Sequence, residues 1–480
     1  MVNIYMPIKP VQLDLFRPSQ SSINIQEDIS PEKYREIFRK LLNENFDFHG
    51  ENSNYATHNF HAFPAKFPPQ LPKKFITTLT LPGEKVLDPM SGSGTTVLEA
   101  MLLGRHGIGI DIDPLALNLG KVKVTSLDLG DLMRKSESLI DRSSYALRNK
   151  KDELTSTLDS RFDPQTKRFV DYWFLRQTQL ELLALIQEIE RLADRNVRRF
   201  FEIVFSSIII TKSGGVSLAY DLAHTRPHKL RDKVPRSASE EFQKRLNKNI
   251  KRITQLAWST GRADIFCGNA QRLGLSDNSI DLIVTSPPYP SNAIDYMRTH
   301  KFSLVWFGYD IASLSGMRGD YMGGERTSNF QMRDLPDYSH RVASNLSEKD
   351  PKKANVLMRY YTEMSECLSE MFRVLKPGRA AAVVVGSSVM RGIDTETSKC
   401  LAEIGKTAGF NLVGITQRKL DRNKRMMPAR HRSRSGEGGG PARNASQSKA
   451  GGPVRENEKE DTKIEERMHK EYIIGFLKPN

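Results

Sequence analysis

The sequence predicts an α/β fold, a mostly parallel sheet carrying a helical insertion. Residues 84–111 read as strand, glycine-rich turn, helix and second strand, the β-α-β unit that joins parallel strands. Residues 279–284 are an apolar run that stops at a Pro-Pro pair, a strand feeding a loop at the edge of a sheet. Between them, from Pro114 to about Arg262, apolar residues recur at helical spacing.

The 480 residues suffice for two or three domains with sizeable cores. Mean hydropathy is −0.49, no apolar run is long enough for a bilayer, and residues 1–20 show no signal-peptide pattern. Cys267, Cys367 and Cys400 lie far apart, so no metal site is expected, and reduced thiols fit a cytoplasmic protein. A net charge of +15 points to a polyanion, nucleic acid above all.

Residues 1–29 read as an arm broken by Pro7, Pro10 and Pro18. Within it, Gln12, Leu13, Leu15 and Phe16 resemble the short peptide by which bacterial polymerases and repair proteins dock on the replication sliding clamp. Leu and Phe would fill a pocket and Gln would fix the orientation; a tuck of the arm onto its own domain is the alternative. Residues 30–113 form the next unit. Ser30 and Pro31 are the N-cap and first residue of a helix, and His61–Pro69 is a proline-broken aromatic loop before a helix at 70–78.

The strand at 84–88 ends in Asp88. The turn Pro89-Met90-Ser91-Gly92-Ser93-Gly94 leads into a helix at 95–103 closed by Gly104, and the strand at 107–111 ends in Asp111. Asp111 lies about twenty residues beyond the first glycine, where nucleotide-binding units place a ribose acceptor. A P-loop needs a lysine after its last glycine, and here Thr95 and Thr96 follow Gly94. A dinucleotide site needs a third glycine, and Asp88 would repel a pyrophosphate. A nucleoside without phosphates, with a cationic amine near Asp88 and a ribose near Asp111, remains. S-adenosylmethionine fits that description; the alternative is a strand-turn-helix with no ligand.

Residues 114–262 read as a helical insertion or subdomain, a candidate DNA-contact or target-recognition region. Arg198–Ile210 is its second apolar helix, broken by Gly214-Gly215. A basic run from His224 to Arg236 follows, then an amphipathic helix at 244–257 whose Lys248, Lys251 and Arg252 are candidates for phosphate contact. In residues 263–480, a strand at 263–268 is followed by Asn269, placed to meet an adenine edge. Residues 315–346 read as a mobile loop. A helix at 358–375 stops at Lys376-Pro377-Gly378 before a buried strand at 379–385, and helix 401–408, strand 411–416 and strand 472–477 complete the chain. Residues 418–456 read as a disordered basic Gly-rich loop in which Arg422, Lys424 and Arg425 are further DNA candidates.

The loop Thr285-Ser286-Pro287-Pro288-Tyr289 carries the chemistry. Pro287 and Pro288 offer carbonyl acceptors and no backbone donors, Ser286 adds a hydroxyl oxygen, and Tyr289 adds a flat ring. Such a loop suits an amino group beside an aromatic face, as on a flipped-out nucleobase. A plain strand-ending turn is the alternative.

With Asp88–Thr96 and Ser286–Tyr289 both read, the chain resembles the amino-group DNA methyltransferases, which methylate N4 of cytosine or N6 of adenine. The resemblance covers most of 60–119 and 263–477. It implies a Rossmann-like, S-adenosylmethionine-dependent methyltransferase fold of about seven strands, the last antiparallel. It also implies that Asp88, Pro89, Ser91, Gly92, Ser93, Gly94, Thr95 and Thr96 line the methionine end of the cofactor, with Phe63 and Pro64 packed over it. Asp111, with Ile112 beside it, matches the ribose-binding acid, and Ser286, Pro287, Pro288 and Tyr289 match the catalytic loop. Many relatives place the catalytic loop first in the chain; here the cofactor half comes first. The Ser-Pro-Pro-Tyr form leans toward cytosine N4, an Asp in place of Ser toward adenine N6. The expected partners are double-stranded DNA and a cognate restriction endonuclease. Alternatives are adenine N6, an RNA methyltransferase acting on guanine N2, and a silent DNA-binding subunit.

Overall fold

The computed structural model describes residues 29–64, 66, 68–212, 214–223, 227–290, 296–324, 330–386, 388–420 and 470–480. Helix α1 (Pro31–Leu42) starts where Ser30 accepts a hydrogen bond from Lys33 N, with Pro31 in its first turn. Helix α2 (Gln70–Leu79) precedes β1 (Lys85–Asp88), α3 (Thr95–Leu102), β2 (His106–Asp111) and α4 (Pro114–Val124). The insertion continues through α5 (Leu129–Asn149), α6 (Lys151–Arg161), α7 (Pro164–Trp173), α8 (Arg176–Glu190), α9 (Arg195–Ile209) and α10 (Ala238–Ile253). Then come β3 (Arg262–Cys267), β4 (Ile280–Thr285), α11 (Tyr296–Leu304), α12 (Ile311–Met317), α13 (Asp337–Lys349), α14 (Pro351–Val374) and β5 (Leu375–Gly386). A ribbon of β6 (Val389–Met390) and β7 (Ile393–Asp394), α15 (Thr397–Thr407), β8 (Asn411–Lys419) and β9 (Lys470–Leu477) complete it.

Seven of the described strands form one sheet in the order β3-β2-β1-β4-β5-β9-β8. Strands β1 to β5 are parallel, and β9 runs antiparallel between β5 and β8. The expected Rossmann-like architecture with an antiparallel last strand is therefore observed. One face is covered by Tyr34, Phe38 and Leu41 of α1 and Leu71, Phe75 and Ile76 of α2, against Val86, Leu282, Ala380 and Ile473. The other meets Leu357, Met364 and Leu368 of α14 and Leu401 of α15, against Leu87, Ile283, Ala381 and Ile474. Strand order reverses between β2-β1 and β4, so the carboxyl ends of β1 and β4 lie side by side at the switch point, where open α/β sheets bind ligands.

Three local expectations need correction. Residues 315–346 are not one long loop, because most of α13 falls there, its Val342, Ala343 and Leu346 buried in the α14 cluster; intervening polar residues hide this stripe in the sequence. Lys376-Pro377-Gly378 lies inside β5, not outside it, and the register slips between Ile280 and Leu282 opposite this stretch. Arg418, expected in a disordered loop, is a strand residue 3% exposed, because β9 returns beside it and supplies a carboxylate for its guanidinium. No helix among the described residues is long and apolar enough to cross a membrane.

Candidate active site

The site grows from the end of β1. Asp88, 2% exposed, accepts hydrogen bonds from Thr285 Oγ1 at 2.7 Å and from Met90 N at 3.3 Å. Thr285 is the residue before the Ser286 loop, so one hydrogen bond joins the two predicted loops across the switch point. Burial pushes the Asp88 carboxyl up to about 6, against the bonds from Thr285, Thr96 and Met90.

The turn after Asp88 closes on itself and on β2. Gly92 and Gly94 take left-handed φ of 47° and 71°, which glycine adopts at little cost. Gly92 N donates to Asp111 Oδ2 at 2.7 Å and Asp113 N to Asp111 Oδ1 at 2.9 Å. Burial and the nearby Asp113 push the Asp111 carboxyl up to about 7. Two acids raised this way at adjacent strand ends suit a ligand that brings a cation to one and hydroxyl donors to the other. The donor chemistry of the cleft thus fits S-adenosylmethionine.

The remaining predicted cofactor residues divide by role. Phe63 lies over the turn, its ring 3.6 Å from where a β-carbon on Gly92 would be, with Pro64 buried beside it. Pro89, Ser91, Ser93, Thr95 and Thr96 are buried, and Ile112 is half-buried beside Asp111. Thr96 Oγ1 donates to Val284 O at 3.2 Å, Lys123 Nζ donates to Ser93 O at 2.7 Å, and the Ser93 and Thr95 hydroxyls are 3.2 Å apart. Thr96 thereby ties the turn to β4. Asn269 is exposed beyond β3, its carboxamide folded onto Gln271 N at 2.9 Å.

Sequence reasoning missed the support around these groups. Phe63 stacks on Tyr296 with ring centroids 5.5 Å apart and meets His300 at 5.0 Å. His300 Nδ1 lies 2.8 Å from Asp113 Oδ2, which also accepts from Tyr321 Oη at 2.7 Å. Although burial opposes it, these partners hold Asp113 below the usual carboxylate range. Proximity of 63 to 296–300 has no local sequence signal.

At the end of β4, Pro287 is buried while Ser286, Pro288 and Tyr289 are half-buried. Tyr289 Oη donates to Glu471 Oε1 at 2.8 Å. Burial first, then the Glu471 carboxylate, hold the phenol well above its ordinary range. No sequence pattern marked Glu471.

Of the basic candidates, Lys248 and Lys251 are exposed on α10, and Arg252 Nη1 donates to Asn54 O at 2.9 Å. Asn249 Nδ2 donates to Phe60 O at 3.3 Å and Gln255 Oε1 accepts from Ala56 N at 2.6 Å. This face of α10 therefore lies along residues 54–60, three residues short of Phe63. Gln12, Leu13, Leu15 and Phe16, and Arg422, Lys424 and Arg425, lie outside the described residues.

The N6_N4_Mtase family model, described as DNA methylase, matches residues 14–121, which include β1, the glycine turn and β2. The chain is 26% identical to Type II methyltransferase M.MvaI of Kocuria varians, over 81% of this chain and 89% of the relative. It is 23% identical to Type II methyltransferase M.BsoBI of Geobacillus stearothermophilus, over 88% and 93%. Among solved structures, a SAM-dependent methyltransferase from Methanosarcina mazei is 13% identical, with a TM-score of 0.27 over 84% of this chain and 97% of that one. At the level of family the chain is thus similar to the amino-group DNA methyltransferases of the N4-cytosine/N6-adenine type, and S-adenosylmethionine is the cofactor that this similarity and the chemistry of the cleft support.

Proposed function

We propose that the enzyme methylates N4 of cytosine within a specific DNA sequence. The observation that carries this reading is a neutral serine, Ser286, at the head of the half-buried loop that Thr285 fastens to Asp88. In the family it resembles, the Ser-Pro-Pro-Tyr form leans to cytosine, whereas an aspartate there leans to adenine.

The exocyclic amine is a poor nucleophile because its lone pair is delocalised into the ring. Ser286 Oγ and the Pro287 carbonyl each accept one N–H, which draws the nitrogen toward tetrahedral geometry and frees the lone pair. Tyr289 stacks on the flipped base and fixes its orientation, so positioning carries much of the rate. Asp88 would hold the amine of the cofactor and Asp111 its ribose hydroxyls; when bound, the cofactor supplies an electrophilic methyl group. No covalent enzyme intermediate is required. Attack at cytosine C5 would need a cysteine thiolate, and Tyr289 stands where such enzymes keep that cysteine.

The test is transfer from tritiated S-adenosylmethionine to unmodified duplex DNA, followed by digestion and separation of nucleosides. Label in N4-methylcytosine is expected. Label in N6-methyladenine overturns the base assignment, and absence of label with DNA bound turns the reading to RNA guanine N2 or a silent subunit.

The Type II names of both relatives support pairing with a cognate restriction endonuclease, and a cytoplasmic setting follows from acting on DNA. Through Gln12, Leu13, Leu15 and Phe16 we further propose docking on the sliding clamp. Leu15→Ala with Phe16→Ala then abolishes clamp pull-down without altering turnover on short duplexes. No clamp capture by the wild-type protein removes this role.

A further inference from the structure

Tyr289 is fixed both at its ring and at its hydroxyl. The ring packs so close to β5 that a β-carbon on Gly386 would lie 2.7 Å from Cε2. The hydroxyl donates to Glu471 Oε1 at 2.8 Å. Glu471 Oε2 in turn accepts from Arg418 Nε at 2.7 Å and Nη2 at 2.6 Å. Arg418 and Glu471 are 3% and 8% exposed, and Glu471 faces Gly386 on one side and Arg418 on the other in the β5-β9-β8 register. Burying an ion pair costs desolvation that need not be repaid in stability, so its contact with a residue of the catalytic loop is informative.

We infer that Glu471, braced by Arg418, is a positioning residue for methyl transfer: through the Tyr289 hydroxyl it fixes the direction of the hydrogen bonds in the catalytic loop. A carboxylate paired with a guanidinium offers lone pairs and no hydrogen. The single phenolic hydrogen of Tyr289 must therefore point at Glu471, leaving the phenolic oxygen free to accept. Ser286 stands three residues before Tyr289 on the same half-buried loop, and its side chain favours the ionised phenol, as a hydroxyl donating to that oxygen does. When the Ser286 hydrogen is directed there, the Ser286 Oγ lone pairs are left for an N–H of the target base. Glu471 thus selects the acceptor state of the serine without touching the substrate. This inference rests on the reading of Ser286 as amine acceptor.

The test compares Glu471→Gln, Tyr289→Phe and the double variant in single-turnover methyl transfer, with dissociation constants for cofactor and DNA measured on each. Glutamine keeps the shape but brings amide hydrogens, so the direction of the chain is no longer enforced. We expect a rate loss of roughly tenfold, the worth of about one hydrogen bond, with both dissociation constants unchanged. In the Tyr289→Phe background the same substitution is expected to cost nothing further. Additive losses, or a wild-type rate in Glu471→Gln, overturn the role. If Glu471→Gln fails to fold, Arg418→Met with Glu471→Gln removes the unpaired buried cation and carries the same comparison. Full activity in Ser286→Ala refutes the reading of the loop itself, whereas its loss beside an unaffected Glu471→Gln refutes only the role of Glu471.

Discussion

At the scale of single residues the site works by what its polar groups are left without. Ser286 carries the one side-chain hydroxyl between Thr285 and Tyr289, so on the proposed mechanism Ser286→Ala removes an acceptor from the amine. The expected cost is about two orders of magnitude in kcat, by analogy with removing one preorganised hydrogen-bonding group from an active site. Folding is retained because the residue is half-buried on a loop, and matched circular dichroism with residual activity above about a tenth of wild type would contradict the assignment. Asp88 and Asp111 give a pH prediction. Their folded carboxyl values are raised to about 6 and about 7, above the ordinary value of about 3.9. Each contribution to stability of the free protein is therefore fully present below about pH 4 and lost as pH rises through about 6 to 7. If the cofactor binds both in their ionised form, as proposed, affinity should rise from pH 5 to 8 and the cofactor-induced thermal shift should grow with it. Asp88→Asn removes the lower part of that dependence, and a pH-independent shift in the wild-type protein would count against Asp88 as the partner of the cofactor's amine.

At the scale of elements, α10 links charge to the site. Lys248 and Arg252 share a helical stripe with Arg245, and Lys248, which is exposed, is held below its ordinary value by partial desolvation and then by those two cations. The carbonyl anchor on Asn54 holds this stripe against the segment that leads to Phe63. Replacing Lys248 and Lys251 by Ala should weaken binding equally on cognate and unrelated duplexes and reduce the slope of log K against log salt by about one for each phosphate left unneutralised. A loss confined to the cognate sequence would make them base readers instead. Elements with strong local signals were legible: Ser30-Pro31 marks the start of α1, and Asp88 and Asp111 end β1 and β2 as read. The start of α10 at Ala238 was readable but missed: Ser237 and Glu240 have the spacing of a capping box, while the expected helix begins at the basic residues from Lys244. The α13 stripe was missed for lack of local contrast, its buried Val342, Ala343 and Leu346 standing among polar residues.

At the scale of the whole molecule, what escaped the sequence is what tertiary pairing creates. Glu471 meets Tyr289 across 182 residues because β9 inserts between β5 and β8, and His300 meets Asp113 across 187. The same holds for the insertion, which reads in sequence as an insertion or subdomain. Its buried residues form one continuous cluster with Leu98 and Met101 of α3, Leu115 and Leu119 of α4 and Met297 and Phe302 of α11. Phe60 meets Phe200 at 6.0 Å, Phe302 meets Trp173 at 4.9 Å, and Trp306 meets Phe162 at 5.3 Å. We therefore propose that the methyltransferase core folds only with residues 125–261 in place. Excising α5 to α10 and bridging the gap with a short linker strips Phe60, Phe302 and Trp306 of these partners. At about 1.5–3 kcal/mol per large buried side chain, three such losses approach the ~5–15 kcal/mol net stability of a domain. The shortened chain should be insoluble, or soluble with strong binding of a hydrophobic dye and no thermal shift with S-adenosylmethionine. A soluble fragment that binds the cofactor with wild-type affinity would show instead that the insertion is a separable domain, and would make the shared cluster an interface between two units rather than a common core.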